Sequence, residues 1–198
     1  MKSIKKISIL AVAAILSMGI ANAQVGLQAG YNKSFNTSAN STLDGFHVGP
    51  TYNMTIQGPV SLQYGLLYNY LTKSEGSNIT LKTTAHRVDV PVRLAAGFPL
   101  GNTVKLYVFG GPNFDFGIAQ SISGDLNIGG TDIGGEIKNI YENKDYSRFD
   151  LQMGAGAGVQ FGKLGVRVSY DWGMLDRYKP ETSEWKNNDL KASLVFSF

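Results

Sequence analysis

Few residues of this 198-residue sequence are equipped for chemistry. It has no cysteine, which removes thiolate catalysis, disulfides and thiolate metal ligation together. His47 and His86 are its only imidazoles. A serine nucleophile needs such a base beside it and an acid to orient the base. Neither histidine stands in a lipid-hydrolase motif. Gly129-Gly130-Thr131-Asp132 is a single fragment of the calcium-binding nonapeptide, which acts only when repeated. It reads as surface loop, and neither metal nor cofactor is expected. What remains is a set of ten charges: Arg87, Asp89, Arg93, Lys105, Asp115, Arg148, Asp150, Arg167, Asp171 and Lys191. Their spacing is informative. Each sits in a stretch where apolar residues occupy the alternate positions, so all ten fall on the polar face of extended chain.

Strands must carry that face. Val88, Val90, Val92, Leu94, Ala96 and Phe98 alternate with Arg87, Asp89, Pro91, Arg93 and Gly97. Phe149, Leu151, Met153, Ala155, Ala157, Val159 and Phe161 alternate with Arg148, Asp150, Gln152, Gly154, Gly156, Gly158 and Gln160. Leu164, Val166, Val168, Tyr170 and Trp172 oppose Gly165, Arg167, Ser169 and Asp171. The same period of two runs through 25–32, 46–56, 60–70, 105–116 and 190–198, giving eight strands. Connections at 57–59, 99–102 and 162–163 are tight turns, whereas those around 33–44, 73–84, 118–147 and 174–188 are long and polar. Short and long alternate strictly, as in outer-membrane barrels with short periplasmic turns and long extracellular loops. The expected fold is all-β: an eight-stranded antiparallel up-and-down transmembrane β-barrel.

The two ends of the chain fit that reading. Residues 1–6 are basic, 7–20 are mostly apolar, and Ala21-Asn22-Ala23 is a small-x-small site. Residues 1–23 therefore read as a secretory signal peptide cleaved between Ala23 and Gln24, with 24–198 as the barrel domain. The signal holds three lysines and no acid, leaving 15 basic and 15 acidic residues, so the basic pI is no argument for nucleic acid. At the other end Leu190, Ala192, Leu194, Phe196 and Phe198 share one face up to the last residue. A closed barrel explains this, because its last strand pairs with its first. Phe98, Phe161 and Phe198 read as the aromatic girdle at the short-turn end. Phe46, Tyr68, Tyr70, Phe116, Phe149 and Trp172 read as the girdle at the other. A soluble lipocalin-like barrel also alternates, but with its apolar face inward; the signal and the girdles favour the membrane.

Three segments match a known pattern: HRVDVPVRLAAGF at 86–98, KLYVFGGPNF at 105–114 and FDLQMGAGAGVQF at 149–161. They supply, in order, an acidic residue before a Val-Pro step, an aromatic strand with Gly-Pro, and a glycine-alternating strand. The sequence resembles the small outer-membrane β-barrel family of PorT-type and "porin family" proteins. That resemblance implies a place in the outer membrane of a Gram-negative cell. It also implies that the barrel-assembly machinery reads Phe198 in the C-terminal strand. It implies no particular activity.

An eight-stranded barrel has an interior only wide enough for side chains. The ten charges should therefore pair and fill it, with Asp89 and Asp115 bonded to Arg87 or Arg148. Gly154, Gly156 and Gly158 would leave room for long arginines. The expected protein is a monomeric, non-enzymatic scaffold in outer-membrane lipid, displaying loops to an unidentified extracellular ligand or surface partner. The alternative is a narrow porin for small solutes or ions, with Arg93, Lys105 and Arg167 setting selectivity.

Overall fold

The computed structural model describes residues 23–37, 41–75, 79–128, 131–137, 139–143, 145–178 and 185–198. Of the signal expected over 1–23, residues 1–22 lie outside them, and Ala23 is the first described residue. Ten strands follow one another: β1 (Ala23–Asn36), β2 (Thr42–Gln57), β3 (Val60–Gly65), β4 (Leu67–Glu75) and β5 (Ile79–Leu100). The second half comprises β6 (Val104–Ile128), β7 (Thr131–Ile137), β8 (Phe149–Phe161), β9 (Leu164–Gly173) and β10 (Asn187–Ser197). All pairings are antiparallel and close a ring. β3 and β4 form one stave interrupted at Leu66, since both lie between β2 and β5. β7 pairs only with β6 among the described residues. The wall thus has eight staves. Closure runs from Gly26 opposite Ser197 to Asn36 opposite Asn187, and the Phe198 amide donates to the Val25 carbonyl at 2.9 Å. The aromatic terminus is paired, not frayed.

The two faces have opposite chemistry. Leu94, Val108, Val168 and Leu194 are each about half exposed on the outer wall, while Arg87, Asp89, Asp115 and Asp171 are buried inside. A lipocalin-like barrel would show the reverse. An apolar outside over a closed ring of antiparallel ladders suits acyl chains, where an unpaired backbone group costs several kcal/mol. At one end Gly58, Gly101 and Gly162 make the tight turns at φ of +56°, +72° and +56°, a left-handed conformation that glycine adopts without strain.

The other end departs from expectation. The segments 73–84 and 118–147, read as polar loops, are largely strand. β4 runs to Glu75, β5 starts at Ile79, and β6 continues to Ile128 before β7 returns along it. β5 has 22 residues and β6 has 25, whereas a tilted membrane strand needs about ten. Their far halves therefore rise beyond the apolar belt as a hairpin sheet. Their apolar positions, Ile79 and Leu81 or Ile122, Leu126 and Ile128, do alternate, but they stand thinly among Gly, Ser, Thr and Asp, which is why the sequence looks like loop. A bulge marks the transition. His86 faces Ala119 but Arg87 faces Gly117, leaving Ile118 as the extra residue. Beyond it the inward parity of β6 changes, from Asn113, Asp115 and Gly117 to Gln120 and Ile122.

Candidate functional site: a charge-filled lumen and the vestibule above it

Strand register stacks like charges inside the barrel. Asp89, Asp115 and Asp150 stand in one row across β5, β6 and β8. Asp171 and Asp189 face each other on β9 and β10. Like charges directly opposite destabilise a sheet, and buried charges without partners cost several kcal/mol each. Cations from other staves answer four of the five. Arg87 on β5 reaches Asp115 Oδ2 at 2.9 Å and Asp189 Oδ1 at 3.2 Å. Lys191 Nζ on β10 lies 2.5 Å from Asp89 Oδ2 and 3.2 Å from Asp171 Oδ2. Arg93 donates to Asp171 and to the Gly111 carbonyl. β5 and β10 are on opposite sides of the ring, so these bonds cross the bore. Gln152 extends the network, donating to Asp189 at 3.2 Å and accepting from Asn113 at 2.7 Å.

Six of the ten charges singled out in the sequence belong to this network: Arg87, Asp89, Arg93, Asp115, Asp171 and Lys191. Asp150 is fully buried, but it accepts only from the Leu175 amide at 3.3 Å and its Oδ2 has no partner. Arg167 bonds Gln63 at 3.3 Å and lies 3.9 Å from the Phe109 ring centroid, with no ion pair among the described residues. Lys105 is half-buried near the short turns, packed beside Gly97. Arg148 corrects the expectation. It is exposed, donates to the Ile118 carbonyl at 2.9 Å and lies over the Tyr141 ring, because it precedes β8 and has left the wall. Asp89 accordingly bonds Lys191 rather than Arg87 or Arg148.

Two network members escaped the sequence reading. Asp189 shares the parity of Lys191 and needed only a longer strand. Arg177, 3.7 Å from Asp115, comes from a long connection with no periodic signal. The glycine stripe is also more varied than expected. A Cβ at Gly154 would collide with Asp171 and Arg93, but at Gly156 and Gly158 it would meet the rings of Phe109 and Tyr107.

The histidines are held in different ways. His47 Nε2 lies 2.9 Å from Ser193 Oγ and 3.2 Å from Gln28 Nε2, all three side chains being buried in the lumen. Among the described residues no carboxylate bonds its Nδ1. His86 is on the outer wall, its Nδ1 2.6 Å from Tyr68 Oη. Among the described residues no group of three or more His, Asp or Glu converges to hold a metal ion.

Above the network the long connections fold inward. Tyr141, on a short 3₁₀ turn (Ile140–Glu142), packs against Gly117, where any side chain would collide with its ring. Arg177 donates to Tyr141 Oη at 3.1 Å and to the Arg148 carbonyl at 3.4 Å. Tyr146, Tyr178 and Trp185 pack with ring centroids 5.1–5.8 Å apart. Asp176 Oδ1 accepts from the amides of Tyr178 and Trp185, each at 2.9 Å, and these bonds hold its carboxyl below the ordinary carboxylate value. This clamp covers a cavity of about 170 Å³. A smaller one of about 50 Å³ opens at the short-turn end beside Arg93, Arg167 and Tyr107. The ion-pair network lies between them.

The sequence matches the model of the outer membrane protein beta-barrel domain over residues 11–178. The chain belongs to that family. Its place is accordingly the outer membrane. Among solved structures, the outer membrane enzyme PagL is similar at a TM-score of 0.53 and 13% identity, covering 87% of this chain and 99% of PagL. At that identity the likeness is one of fold. Neisserial surface protein A aligns at 14% identity and a TM-score of 0.47, over 89% of this chain and 99% of its own. Ail, the attachment invasion locus protein of Yersinia pestis, aligns at 13% and 0.44 with the same coverage. No curated protein sequence matches the chain significantly.

Proposed function

We propose that this family member is a sealed, non-enzymatic barrel that holds its long-loop end outside the cell as an interaction surface. One observation carries the reading: Arg87 on β5 pairs with Asp189 on β10, and Lys191 on β10 pairs with Asp89 on β5, so two ion pairs cross the bore in opposite directions. A water-filled pore of this strand number would have to open that network. The narrow-porin reading draws support from the buried atoms without partners, Asp89 Oδ1, Asn113 Oδ1, Asp150 Oδ2 and Arg167 Nε, which are places for water. The ion pairs of Arg87, Arg93 and Lys191 stand across any path that such waters would make. Turn length assigns the Gly58, Gly101 and Gly162 end to the periplasm. Phe198 at that end meets the assembly machinery, and the finished barrel works as a monomer in outer-membrane lipid.

The hairpin of β6 and β7 is the largest element offered to an extracellular partner. Two arms test the proposal. Liposomes carrying the refolded protein should take up small sugars no faster than empty ones. Removal of residues 119–137, closed by a short Gly-Ser linker, should abolish capture of envelope or host-surface partners while the barrel still refolds. Rapid uptake, or capture unchanged by the deletion, would contradict it.

A further inference from the structure

We infer that the vestibule above the ion-pair network is a binding site for one neutral pyranose ring, free or at the end of a glycan. The inference deepens the surface-interaction reading and rests on it. The cavity of about 170 Å³ lies below the range of drug-sized pockets, so it takes a single ring. Its wall offers Gln120, Asn187 and Ser34 as hydrogen-bonding groups, and Tyr146 and Trp185 as rings. Amides and hydroxyls match the equatorial oxygens of a sugar, and an aromatic face takes its C–H face. Arg87 closes the floor, its terminal N–H groups held by Asp115 and Asp189.

Charge excludes ionic ligands. Two guanidiniums, Arg87 and Arg177, line the cavity and repel cations. Both are already engaged by carboxylates: Arg87 by Asp115 and Asp189, Arg177 by Asp115. Two carboxylates thus face two guanidiniums, and no net positive charge is left to attract an anion. A neutral ligand is what remains; Gln120, Asn187 and Ser34 call for hydroxyls on it, and Ile122, Ile140 and the aromatic rings for an apolar C–H face.

Trp185 reports on the site directly. Trp172→Phe removes the only other tryptophan, on the outer wall, so that emission comes from the cavity alone. This protein, refolded in nanodiscs free of glycoside detergent, is titrated with methyl α-glucoside, methyl α-galactoside and methyl α-mannoside. Maltotriose and glucuronate are titrated in parallel. At least one neutral probe should give a saturable change, at least tenfold weaker in Gln120→Leu and lost in Gln120→Trp, which fills the space. Glucuronate should bind at least tenfold more weakly than the glucoside. A methyl glycoside separates a free ring from the chain end of maltotriose, and saturation by either supports the site. No saturable response to any neutral probe, tighter binding of glucuronate, or full binding by a correctly folded Gln120→Trp would overturn it. Unfolding midpoints of the variants establish their folding. Failure here with liposomes still sealed and hairpin-dependent capture intact would remove the sugar site alone.

Discussion

Lys191 gathers carboxylates from three staves: Asp89 at 2.5 Å, Asp171 at 3.2 Å and Asp189 at 4.0 Å. Lys191→Met would strand Asp89 in a lumen without bulk water and leave Asp171 and Asp189 with one arginine each. Breaking a buried charge set in this way costs about 3–5 kcal/mol, read as reversible unfolding in lipid vesicles. Arg148→Ala, at an exposed residue, should change stability by no more than about 0.5 kcal/mol. The two residues carry the same charge in the same sequence pattern, yet only one is inside. Alternation identified the face, but it could not tell that Arg148 lies just before its strand begins. Asp176 gives the pH dependence of the vestibule. Its carboxyl is lowered in the folded clamp, so the clamp is fully stabilised above the unfolded value of about 4 and loses that contribution as pH falls through the lowered one. In the Trp172→Phe background, Trp185 emission should move to longer wavelength below about pH 4. Asp176→Ala should show the shifted emission already at pH 7; an unshifted spectrum would mean that the clamp does not depend on this carboxylate.

The strands were legible wherever one face meets lipid and the other the lumen, because that environment imposes a period of two. Val168, half exposed on the outer wall of β9, should tolerate Leu but lose about 2–4 kcal/mol as Arg near mid-depth. If Val92→Arg were neutral while Gln63→Leu strongly destabilised the barrel, the inside and outside of β3 and β5 would be exchanged by one residue. Gly154→Val on β8 should disrupt the Asp171–Arg93 pair more than Gly165→Val on β9 disturbs its looser surroundings. Unfolding midpoints in the same vesicles compare them. Above the membrane the signal fails. On β5 Ile79 and Leu81 alternate with Thr80 and Lys82, but Thr83 and Thr84 break the pattern, and so short a run reads as loop. The bulge at Ile118 leaves no trace in composition either, although it turns Gln120 and Ile122 toward the vestibule.

Across the whole molecule, ring closure and the polar interior follow from eight alternating segments and a terminal aromatic. The composition of the vestibule does not. Arg177, Tyr141 and Trp185 come from long connections whose shape depends on contacts with one another, and no periodicity announces them. Protease applied to whole cells should cut within 118–147 or 174–188 and spare 99–102; cleavage at 99–102 with an intact outer membrane would invert the barrel. The seal across the bore is tested most directly by single-channel recording of the refolded protein in planar bilayers. The intact chain is expected to show no steady open level, and Lys191→Met, still folded at low temperature, to show brief openings. A large, steady wild-type current whose ion selectivity shifts in Arg93→Ala, with stability unchanged, would contradict the seal and make the lumen a pore.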